Sequence, residues 1–167
     1  LAESDLTDAA KTAQYNGKVI TPGSITLEKV PGEILTIAFK DVEKNAGEYP
    51  LVIKSVTLGG VDATNYDIKL PTAGLTFTVT QIKHVISLQD LGENYVLTKT
   101  YDGTNLAPAS ISLKLIEGSD EAVTISFTSV GPNAGEYALA ISSVGDTTNY
   151  DITITENTWV SITQKAL

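Results

Sequence analysis

The chain of 167 residues has no cysteine, no arginine, one histidine and one tryptophan. Without cysteine there can be neither disulfides nor thiolate metal sites. Secretion into an oxidising space would not require them, so the redox compartment stays open. All 11 basic side chains are lysines, set against 20 acids, for a net charge of −9. An acidic chain repels phosphate backbones, and one without arginine lacks the planar fork that grips a phosphate twice, which argues against nucleic-acid binding. No apolar run reaches the ~18 residues of a membrane-spanning helix, so no membrane span is expected in this segment. The chain opens at Leu1 rather than methionine and shows no signal-peptide pattern. It reads as a mature or excised segment whose targeting and anchoring signals lie outside it.

What is present is a duplication. Asn45-Ala46-Gly47-Glu48-Tyr49 returns as Asn133-Ala134-Gly135-Glu136-Tyr137. Tyr15-Asn16-Gly17 precedes the first copy as Tyr101-Asp102-Gly103 precedes the second. Thr64-Asn65-Tyr66-Asp67-Ile68 follows the first as Thr148-Asn149-Tyr150-Asp151-Ile152 follows the second. Matched landmarks in one order, 84 to 88 residues apart, define a tandem repeat of one unit. The reading divides the chain into residues 1–83 and 84–167. Each part is large enough for its own core, since domains of about 60 residues fold alone.

Within each copy, apolar and polar residues alternate in short runs between turn signals. Leu35-Thr36-Ile37-Ala38-Phe39 and Val123-Thr124-Ile125-Ser126-Phe127 are half-buried strands with one apolar face. The Asn-Gly and Asp-Gly pairs at Gly17 and Gly103 are tight-turn signals. Gly47 and Gly135 read as turn glycines available for positive φ. Pro50 cannot donate to a ladder and belongs at a strand start or edge. Residues 8–15 are expected as strand, because their counterpart around Tyr95 to Tyr101 alternates with β-branched and aromatic residues. The Asn-Tyr-Asp-Ile runs are expected as strands in both copies, and 76–81 and 159–164 as closing strands. Val85-Ile86-Ser87-Leu88 reads as a further strand with no equivalent before Leu1, so the first copy looks clipped at its start. At Ile82-Lys83-His84-Val85 strand runs into strand with no flexible linker. Six or seven short strands per unit predict an all-β fold: two tandem small antiparallel domains of immunoglobulin-like sandwich type. A β-grasp arrangement is the alternative and would need a helix.

The second copy, with Lys99-Thr100-Tyr101-Asp102-Gly103-Thr104, Asn133-Ala134-Gly135, Asn149-Tyr150 and Ile162-Thr163-Gln164, resembles the YDG family and the related MBG repeats of large bacterial surface and secreted proteins. The first copy resembles it less, with Tyr15-Asn16-Gly17 in place of Tyr-Asp-Gly and no lysine matching Lys99. The resemblance implies an extracellular module of the bacterial cell surface or a secreted protein, acting as stalk, spacer or adhesive surface. Its implied partners are further repeats of the same chain and a protein or glycan ligand on a host or cell surface. It implies no catalytic residues and no cofactor.

The residues themselves offer little chemistry. His84 is the only imidazole, sits at the junction, and is accompanied by no nucleophile elbow, so it reads as an exposed or half-buried junction residue. Glu48 and Glu136 recur with a structural turn rather than as a glycosidase pair. Asp62, Asn65 and Asp67, echoed by Asp146, Asn149 and Asp151, are the residues a calcium ion would take. The plainer reading is that the asparagines cap turns and the aspartates solvate a loop. Tyr49, Tyr66, Tyr137 and Tyr150 read as core or corner residues whose hydroxyls reach backbone. Trp159, which stands near the position of Thr76, is the one candidate sugar platform. It keeps a carbohydrate-binding module of a secreted glycan-processing protein as the alternative function.

Overall fold

The computed structural model describes residues 1–71, 74–93, 95–156 and 158–166. The protein divides into two compact units, Leu1–Gln81 and Ile82–Leu167. The boundary falls two residues before the expected one, because Ile82 and Lys83 belong to a strand paired within the second unit.

The first unit contains β1 (Thr12–Gln14), β2 (Ile25–Val30), β3 (Glu33–Phe39), β4 (Gly47–Pro50), β5 (Ile53–Leu58), β6 (Val61–Asp62) and β7 (Thr76–Thr80). One sheet runs β2-β3-β5-β6, antiparallel throughout; the other runs β1-β7-β4. Pro50 ends β4 at the edge of its sheet, where its missing N–H leaves no gap in a ladder. Alternation does the packing. Ile25, Leu35, Ile37 and Phe39 from one sheet, and Phe77 and Val79 from the other, are all buried. The intervening Thr26, Glu28, Thr76 and Thr80 face water. The result is a sandwich-like all-β unit.

The second unit repeats the plan with β8 (Ile82–Ile86), a single helical turn α1 (Leu88–Leu91), β9 (Thr98–Thr100), β10 (Ile111–Leu113), β11 (Val123–Phe127), β12 (Gly135–Ala138), β13 (Ile141–Val144), β14 (Tyr150–Ile154) and β15 (Trp159–Thr163). Its sheets are β10-β11-β13, β12-β15-β9 and the pair β14-β8. The registers superimpose. Tyr49 stands opposite Phe77 and Tyr137 opposite Val160; Pro50 opposite Thr76 and Ala138 opposite Trp159. A ladder shift follows Ala38 in β3 and Ser126 in β11, so even the irregularity is shared.

The strands and their pairing depart from the sequence reading in four places. The sheets are mainly antiparallel as expected, but β1 with β7, β9 with β15 and β8 with β14 are parallel. A parallel partner must come from far along the chain, which local alternation does not reveal. Residues 8–15 are not one strand: a turn of 3-10 helix at Asp8–Ala10 precedes β1. That turn tucks Ala10 into the core and brings Ala9 against Gly23, whose N–H donates to the Ala9 carbonyl at 2.7 Å. A Cβ on Gly23 would lie 2.8 Å from that of Ala9, so only glycine permits the approach. The expected strand through Leu88 stops at Ile86, because Ser87 starts α1. Its N–H and hydroxyl both donate to the Asp90 carboxylate, at 2.7 and 2.8 Å. Finally, the Asn-Tyr-Asp-Ile run forms a strand only in the second unit; among the described residues, 66–70 pair with no strand. Among the described residues all helices are single turns, so a β-grasp arrangement lacks its helix.

Candidate functional site

The residues shared by the two copies meet in three polar clusters, each built within its own unit. In the first, the Tyr49 ring folds back over Gly47 and its hydroxyl donates to the Asn45 carbonyl at 2.7 Å. Tyr137 does the same over Gly135 to Asn133, at 2.8 Å. These are the corner tyrosines expected from the sequence. The two glycines divide over the expectation of positive φ. Gly47 meets it with a φ of 157°, close to extended backbone, and Gly135 does not; a Cβ at either would stand in ordinary van der Waals contact with the tyrosine ring.

The second cluster is the loop after β1 and β9. Gly17 and Gly103 have φ of 75° and 85°, the left-handed conformation that these turns require. The Asn16 side chain accepts the Lys18 N–H, and the Asp102 carboxylate accepts the Thr104 N–H, both at 2.9 Å. Only the second unit adds a clasp. The Lys99 ammonium reaches Asp102 at 2.8 Å, the Thr104 and Asn105 carbonyls at 3.2 and 3.1 Å, and the Thr104 hydroxyl. Lys99 first, and then Thr104, hold the Asp102 carboxyl down at about 2. Because the folded pKa is depressed, this contribution to stability is full above the ordinary carboxylate range and is lost as pH falls through about 2. An NMR titration is expected to place Asp102 near that value, and Lys99→Ala to return it toward 3.8. A midpoint near 3.8 in the unaltered chain would show that the clasp does not form.

In the third cluster the Asn-Tyr loop is tied to the start of the central strand. The Tyr66 hydroxyl donates to the Glu33 carboxylate, and Tyr150 to Glu121 at 3.0 Å. Hydrogen bonding to Glu33 raises the Tyr66 pKa, while burial and then the Glu121 bond push Tyr150 up to about 12. Glu33 and Glu121 escaped the sequence reading. Their spacing of 88 residues, the same as that of the Asn-Ala-Gly elements, is the signal that marks them as equivalent.

The calcium candidates do not converge as one set. In the second unit Asp146 accepts the N–H groups of Thr148 and Asn149, and the Asn149 side-chain amide, at 2.8–3.1 Å. Here the aspartate caps the turn and the asparagine side chain donates to it, the reverse of the expected roles. Asp151 lies on β14 beside Lys83, 3.9 Å away. In the first unit Asp62 and Asn65 line an open cavity of about 500 Å³ with Glu33 and Tyr66, whereas Asp67 turns to Lys69 at 2.9 Å. Among the described residues no three His, Cys, Asp or Glu side chains gather in a metal-binding group.

His84 is half-buried on β8, its Nε2 3.2 Å from Asp90. Burial raises the Asp90 pKa, but the Ser87 N–H and hydroxyl and the imidazole outweigh it and the net shift is downward. The Ser87 hydroxyl and the imidazole thus converge on one carboxylate, and neither is placed to activate the other. The tyrosines of the turn signature differ between units: Tyr15 is 3% exposed, whereas Tyr101 is 41% exposed. Tyr101 borders a cavity of about 490 Å³ with Asn133, Ala134 and Gln164. Trp159 is 51% exposed on β15. Compared with protein-family models, curated proteins and solved structures, the chain matches none.

Proposed function

We propose that the chain is a non-catalytic extracellular repeat module of a bacterial surface or secreted protein, serving as stalk, spacer or adhesive surface. The observation that carries this reading is the parallel pairing of an early strand with the last strand of each repeat. β1 lies parallel to β7, and β9 lies parallel to β15. In the second unit β8, itself parallel to β14, takes the load ahead of β9, whereas in the first unit tension pulls β1 by its N-terminal end and β7 by its C-terminal end. All the bonds between them are then loaded together in shear, rather than opened one at a time. The polar residues common to both copies support the same reading, because their bonds hold loops within the unit.

Single-molecule stretching between residues 1 and 167 is expected to give two discrete ruptures, each releasing on the order of 250 Å from a unit of about 80 residues. A smooth, low-force extension without ruptures would remove the mechanical reading. Exposed Trp159, and Tyr101 beside its open cavity, favour the second reading, a carbohydrate-binding module. Glycan-array binding that Trp159→Ala abolishes would move the conclusion to it.

A further inference from the structure

The two units differ where β14 has a partner strand and its counterpart, among the described residues, has none. In the second unit, β8 lies parallel to β14 with Ile82 opposite Tyr150 and Ile86 opposite Ile154. Ile82 N–H donates to the carbonyl of Asn149, the residue before its opposite number, at 2.9 Å; Thr155 N–H donates to Ile86 at 3.2 Å. By repeat spacing, residues 66–70 correspond to β14. They keep its alternation, with 66, 68 and 70 half-buried and 67 and 69 exposed. Yet among the described residues none of the N–H groups of 67–70 donates to a backbone carbonyl. Burial follows the same difference: Asn149 and Tyr150 are buried, whereas Asn65 is exposed and Tyr66 only half-buried.

Leu1 already occupies the end of this slot. The Ala2 N–H donates to Asp5 at 2.7 Å as the Ser87 N–H does to Asp90, which makes Leu1 the counterpart of Ile86. The Leu1 nitrogen donates to the Lys69 carbonyl at 3.1 Å, and Lys69 is the residue before Leu70, the counterpart of Ile154. That is the same relation that Ile82 has to Asn149, one ladder step of a parallel strand.

We propose that the edge at residues 66–70 is a strand-acceptor site, and that its occupant is an extended segment joined directly to Leu1, with the alternating apolar and polar character of β8. A segment attached there starts in register and needs no loop to reach the slot. It would cover an edge whose unpaired backbone otherwise invites foreign strands. Each repeat would then be completed by the residues leading into it, as β8 completes the second unit. This holds whatever the protein binds and wherever it acts.

The test adds Ile-Lys-His-Val, the residues of 82–85, directly before Leu1 of the full chain. A second version carries proline in place of that histidine, removing a ladder N–H. Amide hydrogen exchange is read by NMR. In the parallel register the acceptor amides that bond are those matching Asp151 and Thr153, namely Asp67 and Lys69. Both are expected to slow by about tenfold or more on extension, with Ile68 and Leu70 unchanged, and the proline version to lose the effect. Asp151 and Thr153 serve in the same molecule as a check on folding. Unchanged exchange at Asp67 and Lys69 would overturn the proposal, as would uniform slowing without alternation. Slowing that scales with protein concentration would assign the slot to a second copy and overturn the segment joined to Leu1.

Discussion

Phe77→Ala is expected to cost about 3–5 kcal/mol and to unfold the first unit under conditions where the second stays folded. Phe77 has no exposed surface and stands in the middle strand of its sheet, facing the core that Leu35, Ile37 and Phe39 fill from the other side. A unit of about 80 residues has a total stability on the order of 4–12 kcal/mol, so the cavity removes a large share of it. The only tryptophan lies in the second unit, which makes the measurement selective. Denaturant melts followed by far-ultraviolet circular dichroism should split into two steps, while Trp159 fluorescence keeps its single transition. Ile34→Ala is the control, because Ile34 is 55% exposed on β3 and its loss should change stability by less than about 0.5 kcal/mol. Coincident transitions in Phe77→Ala, unmoved from the unaltered chain, would contradict the assigned core.

Gly131→Ala is expected to destabilise the second unit by roughly 2–4 kcal/mol, and Gly103→Ala by about 1. Both glycines have a left-handed φ, 98° and 85°. They differ in what a methyl group would meet. At Gly131 the added Cβ would collide with the Ile162 side chain, itself buried, whereas at Gly103 nothing lies within 4 Å. The first substitution therefore adds overpacking to backbone strain, and the second adds strain alone. Thermal melts of the two variants followed by Trp159 fluorescence compare the terms directly. Equal losses would mean that Ile162 moves aside without cost.

The duplication was legible because it is written twice in the same letters, and the strands were legible wherever alternation is local. Leu35 to Phe39 and Val123 to Phe127 show their buried face in the order of their residues. The corner tyrosines were legible for the same reason, since donor and acceptor lie four residues apart. Glu33 and Glu121 were not. Their tyrosine partners lie 33 and 29 residues away, and glutamate at a strand start carries no pattern of its own.

Sequence alone determined the all-β class, the two-unit division to within two residues, and the turn glycines at 17 and 103, because each depends on neighbours a few residues away or on the repeat itself. Tertiary structure decided which strands became neighbours. The parallel pairing of β1 with β7 and β9 with β15 joins segments more than sixty residues apart, and no local periodicity encodes a partner at that distance. It also decided that one Asn-Tyr-Asp-Ile run is a strand and the other is not. The two runs have nearly the same propensity, but a strand exists through its ladder, and only residues 150–154 have β8 beside them to bond with.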